Sequence, residues 1–62
     1  MNNEQKNTYV KEQIIKTLLL LLETKNIDDI SISELTSAAE IGRVSFYRNY
    51  KSKEDVLQQE AD

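Results

Sequence analysis

In Ser31-Ile32-Ser33-Glu34-Leu35-Thr36-Ser37-Ala38-Ala39-Glu40-Ile41-Gly42-Arg43-Val44-Ser45-Phe46-Tyr47-Arg48-Asn49-Tyr50, two short helical patterns meet at the only glycine of the chain. Ser31 and Glu34 have the Ser-x-x-Glu spacing of a capping box, so a helix is expected to start at Ile32. Running to about Glu40, it would bury Ile32, Leu35, Ala38 and Ala39 and expose Ser33, Glu34, Ser37 and Glu40. A break is expected near Ile41-Gly42, because glycine adopts turn conformations cheaply. A second helix then runs from Arg43 to about Tyr50. With Arg43 set at 0° and about 100° per residue, Phe46 and Tyr50 fall at about 300° and 340°, opposite an arc carrying Tyr47, Val44, Arg48 and Ser45.

Working outward from this pair, the preceding residues form a longer amphipathic helix, from about Thr8 to Lys25. Val10, Ile14, Ile15, Leu18, Leu19, Leu21 and Leu22 share one broad arc against Gln13, Lys16 and Glu23. Leu20 projects on the polar side, either as an ordinary exposed leucine or as one covered by a surface outside this chain. Asn26-Ile27-Asp28-Asp29-Ile30 reads as a polar turn with two apolar anchors. After Tyr50, Ser52-Lys53-Glu54-Asp55 supplies a second N-cap signal for a helix over 53–62 that carries Val56, Leu57 and Ala61. The expected fold is all-α, a small bundle of three to four helices occupying residues 1–62 as a single domain.

A chain of 62 residues buries roughly 60% of the surface its unfolded form exposes, so its stability is modest and rests on packing. Without cysteine or histidine there is no disulfide, no thiolate site and no structural zinc site. A single glycine cannot build a phosphate-binding loop, and Asp28-Asp29 sits in a polar turn where it caps or solubilises. The chain is therefore read as no enzyme, with no cofactor. The five apolar residues Leu18 to Leu22 fall far short of the roughly 20 that cross a bilayer, and the polar start is no secretory signal. A cytoplasmic, soluble protein without membrane contact is expected.

Charge is segregated along the chain. All eleven acidic residues lie outside Ile41–Lys53, while four of the eight basic ones, Arg43, Arg48, Lys51 and Lys53, lie inside, giving +4 there against −7 elsewhere. Such segregation suggests a surface aimed at phosphate. The net charge of −3 is not an obstacle, since screening over about 8 Å lets nearby phosphates feel the local cations first. Two helices joined by three or four residues cross steeply, the helix-turn-helix arrangement that sets its second helix into the DNA major groove. Eight helical residues span about 12 Å, short enough for a groove about 12 Å wide. On the outward arc, Arg43 and Arg48 suit guanine edges or phosphate and Val44 a thymine methyl. Ser45 suits a base or phosphate, and the Tyr47 hydroxyl a phosphate. Lys53 in the first turn of a helix opposes the macrodipole, a conflict that an anion at Ser52 and the free N–H groups would relieve. The competing reading is a helical protein-interaction module that uses the leucine-rich face of the first helix.

The segment from Ser31-Ile32-Ser33-Glu34-Leu35 through Gly42 to Leu57 resembles the N-terminal DNA-binding domain of the TetR family of bacterial transcriptional regulators. The most specific part is Phe46-Tyr47-x-x-Tyr50-x-Ser52-Lys53-Glu54-x-x-Leu57, and the likeness covers nearly the whole chain. It implies a homeodomain-like helix-turn-helix and a regulator that is most often a repressor. It further implies that Arg43, Val44, Ser45 and Arg48 are base or phosphate readers and that Tyr47 and Lys53 are phosphate clamps. Ser33, Thr8, Asn49 and Lys51 are implied as further DNA contacts. Two departures stand out: Glu40 where family members usually have glycine, and Thr36 where a small alanine is frequent. Glu40 must then adopt a glycine-like turn conformation, or the turn shifts with Gly42 compensating. Family members resemble two-domain proteins, so this chain is expected to be the head of a longer parent. That parent would bind a small-molecule inducer in a second helical domain and act as a homodimer on a palindromic operator.

Overall fold

A computed structural model of the chain describes the backbone of residues 3–60 and the side chains of residues 8–60. Four α-helices, with no strand among the described residues, run in the order α1 (Asn3–Leu22), α2 (Ile32–Ala39), α3 (Arg43–Asn49) and α4 (Lys53–Glu60). A short 3-10 turn, Ile27–Asp29, lies between α1 and α2. The last two residues of the expected fourth helix, Ala61 included, lie outside the described residues.

The core forms where the apolar arcs of the helices converge. Ile14 and Leu18 of α1, Ile30 before α2, Leu35 of α2, Phe46 of α3, Tyr50 after it and Val56 of α4 make one buried cluster. Val10, Ile15, Leu21, Leu22, Ile32 and Ile41 pack around it, partly buried. Each fully buried aliphatic or aromatic side chain contributes about 1.5–3 kcal/mol. Of the two anchors expected in the turn, Ile30 is fully buried and Ile27 half-buried.

Helix α1 begins at Asn3 rather than Thr8 and ends at Leu22 rather than Lys25. The difference at its end is physical: the amide of Glu23 returns to the Leu20 carbonyl at 3.2 Å and that of Thr24 to the Leu21 carbonyl at 3.1 Å, three-residue bonds that tighten the chain into a turn. Leu19, expected on the buried arc, is 53% exposed. It lies about 140° from Ile14 around the helix, at the limit of the face that α2 and α3 can cover. Leu20 is 65% exposed, so no other part of the described chain covers it.

In α2 the position on the helix outweighs residue type. Ala38, expected to be buried, is exposed, and Thr36 is buried in its place. Counted from Ile32, Thr36 falls at about 40° and Ala38 at about 240°, so threonine faces the core. Its hydroxyl is satisfied by donating to the Ile32 carbonyl at 2.8 Å, with the Ser33 carbonyl at 3.3 Å. Ser31 caps the helix as expected, its Oγ accepting from the Glu34 amide at 3.0 Å. The Glu34 carboxylate pairs with Lys25 Nζ, tying the end of the α1 turn to the start of α2.

The helix closes in a Schellman arrangement. The Ile41 amide donates to the Thr36 carbonyl at 2.9 Å and the Glu40 amide to the Ser37 carbonyl at 3.1 Å. Glu40 takes the left-handed conformation this requires, at φ 60° and ψ 42°. Gly42 does not compensate: at φ −70° and ψ 156° it is extended, the N-cap of α3. Glutamate thus adopts the conformation directly, and the glycine stands two residues further on.

Candidate nucleic-acid interface

Helix α3 is short because its two ends are set by different devices. It starts at Arg43, after the three residues 40–42 that leave α2. It stops at Asn49 because Tyr50 turns extended, at φ −139° and ψ 149°, one residue earlier than the sequence suggests. Tyr50 leaves the helix yet stays buried, and its ring packs 5.8 Å from that of Phe46. Phe46 also meets Tyr47 edge-on at 5.2 Å. These aromatic contacts fix the rotation of α3 about its axis, and with it which side chains face outward.

The outward arc carries Arg43, Val44, Tyr47 and Arg48, all exposed, with Val44 at 69% and Tyr47 at 54%. Ser45 lies half-buried at its margin. Asn49 is also half-buried, and its amide donates to the Ser45 carbonyl at 2.9 Å, within its own helix. Arg48 and the exposed Lys51 have no ion-pair partner among the described residues.

The remaining candidates sit on other elements. Ser33, exposed in the first turn of α2, accepts a hydrogen bond at Oγ from Arg43 Nη2, so the structure brings these two residues together. Lys53, at the start of α4, is half-buried and donates from Nζ to the Ile30 carbonyl at 2.6 Å. Its charge is thereby held over the segment that leads into α2. Ser52 caps α4 by accepting from the Asp55 amide at 3.1 Å, and Asp55 in turn accepts from the Lys51 amide at 2.9 Å. Thr8 lies exposed on α1, in a different element from the α2–α3 pair.

Sequence reasoning missed the groups that support this surface from beneath. Lys11 of α1 places its ammonium 6.0 Å from the centre of the Tyr50 ring. The Tyr50 hydroxyl lies 3.4 Å from a Glu60 carboxylate oxygen. Burial first, then the charge and hydrogen bond of Glu60 and the charge of Asp55, push the Tyr50 phenol up to about 12. It therefore stays neutral across the ordinary pH range. Gln59 joins the same corner by donating to Asp55 at 2.9 Å.

A second surface lies between α1 and α4. Ile15, Leu18, Leu19, Val56, Leu57 and Glu60 line an apolar groove of about 430 Å³. Of the leucine run, Leu18 is buried and Leu21 and Leu22 are half-buried, so only Leu19 and Leu20 present a largely open face. Among the described residues no helix is long and apolar enough to cross a membrane.

Two helices joined by a three-residue turn, with the second presenting a cationic and aromatic arc, constitute a helix-turn-helix of the kind that DNA-binding domains use. Residues 14–59 match the family model of the bacterial regulatory proteins of the tetR family, and the chain belongs to that family through its N-terminal DNA-binding domain. It is thus a DNA-binding domain of a transcriptional regulator, from a family that is regulatory rather than catalytic. No curated protein and no solved structure matches the chain.

Proposed function

We propose that this domain reads double-stranded DNA in a sequence-specific manner by laying α3 in the major groove, as the head of a repressor that a small molecule releases. The observation that carries the reading is the division of α3. Phe46 is fully buried on one side and followed by buried Tyr50, while Arg43, Val44, Tyr47 and Arg48 are exposed together on the other. Burial locks the orientation, and the outward residues supply a guanidinium fork, a methyl surface and a hydroxyl suited to base edges and phosphates. Lys51 adds a cation that no carboxylate neutralises among the described residues. In this reading Arg43, Val44, Ser45 and Arg48 meet bases or nearby phosphates. Tyr47, Lys51, Lys53, Asn49, Ser33 and Thr8 border the backbone.

The inducer site and the homodimer that would span a palindromic operator follow from the family likeness. In this reading the working regulator acts in the bacterial cytoplasm, beside the chromosome. A single head makes half the contacts of a dimer and is expected to bind weakly. The test is fluorescence anisotropy on a short random-sequence duplex over a salt series. Affinity should fall steeply with salt, and Lys51→Ala should lower the slope by about one. Binding that ignores both salt and Lys51, with the Leu19–Leu20 face instead capturing a helical partner, would favour the interaction-module reading.

A further inference from the structure

We infer that Asp55 is a positioning residue for Lys51: its carboxylate holds the turn between α3 and α4 so that the Lys51 ammonium is delivered to a DNA phosphate. The inference rests on the DNA-reading function proposed above and names how one of its cations is set. Asp55 Oδ2 accepts from the main-chain amide of Lys51 at 2.9 Å, and the Asp55 amide donates to Ser52 Oγ at 3.1 Å. Gln59, one turn further along α4, donates from Nε2 to the same Oδ2 at 2.9 Å and to the Asn49 carbonyl at 3.4 Å. Asn49 ends α3 and Lys53 begins α4, so these two side chains hold the chain on both sides of Tyr50. On the inner side, the buried Tyr50 ring anchors the same turn against Phe46.

Within this turn Tyr50 is buried and Ser52 half-buried, and Lys51 alone is exposed. Its backbone is therefore fixed while its side chain stays outside. Tyr47 and Arg48 of the outward arc border the same surface depression as Lys51, Asp55 and Gln59, so the turn continues the cationic face of α3. A lysine on a loose turn would lose backbone as well as side-chain freedom on meeting a phosphate. On a turn already held by side chains of the next helix, only the lysine side chain is left to order.

The sign of the effect separates this role from two simpler ones. Charge alone predicts that removing a carboxylate from the edge of a phosphate-facing surface tightens binding. Asp55 also lies in the first turn of α4, where a carboxylate favours the helix, and a purely capping role predicts lower stability with unchanged affinity of the folded domain. Positioning predicts that deleting this acid weakens binding to DNA.

The experiment is fluorescence anisotropy on a short random-sequence duplex over a salt series. Wild type, Asp55→Ala, Asp55→Asn, Gln59→Ala, Lys51→Ala and the two alanine variants each combined with Lys51→Ala are compared, all checked for folding by circular dichroism at the assay temperature. Asp55→Ala should weaken binding roughly threefold and lower the salt slope toward that of Lys51→Ala, and it should add nothing in the Lys51→Ala background. Asp55→Asn, which keeps an acceptor for the Lys51 amide without the charge, should bind at least as tightly as wild type. Hydrogen exchange should show protection of the Lys51 amide lost in Asp55→Ala and kept in Asp55→Asn. Gln59→Ala, at an exposed position, should give a smaller loss that also vanishes in the Lys51→Ala background, and it carries the test if Asp55→Ala does not fold. Unchanged or tighter binding by Asp55→Ala, an Asp55→Asn as weak as Asp55→Ala, full additivity with Lys51→Ala, or a silent Lys51→Ala would overturn the inference while leaving DNA reading by α3 intact. A wild-type chain whose duplex binding ignores salt would overturn DNA reading itself, and the role of Asp55 with it.

Discussion

Replacing Glu40 by glycine should stabilise the domain, although it removes a side chain from a small fold. Glu40 is the one non-glycine residue at positive φ among the described residues, at φ 60°. A side chain in that conformation brings its Cβ against the following carbonyl, at a cost of about 1–2 kcal/mol. Glycine removes this cost but frees the unfolded chain by about 0.4–1 kcal/mol. The balance is a gain of about 0.5–1 kcal/mol, which raises the melting temperature of a domain this size by about 2–8 °C. The backbone bonds from the Glu40 and Ile41 amides do not involve the side chain and survive the change. Glu40→Ala is the necessary control, because it deletes the carboxylate while keeping the Cβ. Thermal unfolding followed by circular dichroism at one pH compares the three. The reasoning fails if Glu40→Gly melts at or below Glu40→Ala, since the left-handed conformation would then carry no strain worth relieving.

Gly42 offers the complementary change. It is extended, caps α3 without a side-chain hydrogen bond, and a Cβ there meets nothing within 4 Å. Gly42→Ser should therefore gain a few tenths of a kcal/mol or more, measured as a raised urea midpoint at unchanged slope. Ser31→Ala removes the cap of α2 and should cost about 1 kcal/mol, lowering the melting temperature by about 4–8 °C. Ser31→Asp, which can still accept from the Glu34 amide, should recover most of it. Alkaline stability reports on Tyr50, which Glu60, Asp55 and Lys11 surround. The folded phenol keeps its proton to about 12 while the unfolded one loses it from 10.0. The unfolded state thus binds fewer protons in that window, and the stabilisation, complete below the unfolded value, is lost as pH rises toward the folded one. Urea midpoints should fall less steeply over this range in Tyr50→Phe than in wild type, and parallel curves would contradict the assignment.

The parts of the fold that could be read from the sequence are those governed by local chemistry. Ser31 and Ser52 announce helix starts because a hydroxyl three residues before an amide satisfies a group the helix leaves open. Phe46 declares the inner face of α3 through spacing, whereas Tyr50, read on the same arc, reaches the core from an extended residue beyond the helix. The end of α1 was not legible, because Glu23-Thr24-Lys25-Asn26 contains no glycine or proline and is turned by its backbone bonds and by the Lys25–Glu34 pair to α2. Glycine misled for a related reason. Its freedom marks where a left-handed residue is easiest, whereas the Schellman bonds that close α2 place that residue at Glu40.

At the interface, the outward arc of α3 follows from periodicity, but the links that hold it do not. Lys53 reaches back 23 residues to Ile30, and Arg43 reaches back ten to Ser33. No local pattern encodes such pairings, because they depend on how α2, α3 and α4 are packed. Thr36 shows the same dependence in the core: a residue type usually exposed becomes buried when its hydroxyl can return to the Ile32 carbonyl.

The central claim is that the exposed arc of α3 is the surface that meets duplex DNA. Its most direct test is chemical-shift mapping of the 15N-labelled chain titrated at low salt with short random-sequence duplexes, against single-stranded DNA and a polyanion as controls. Perturbations concentrated at Arg43, Val44, Tyr47 and Arg48, extending to Ser33 and Lys51 and seen with duplex alone, are the predicted result. Shifts absent from α3, or confined to Leu19, Leu20 and Leu57 around the α1–α4 groove, would contradict the account.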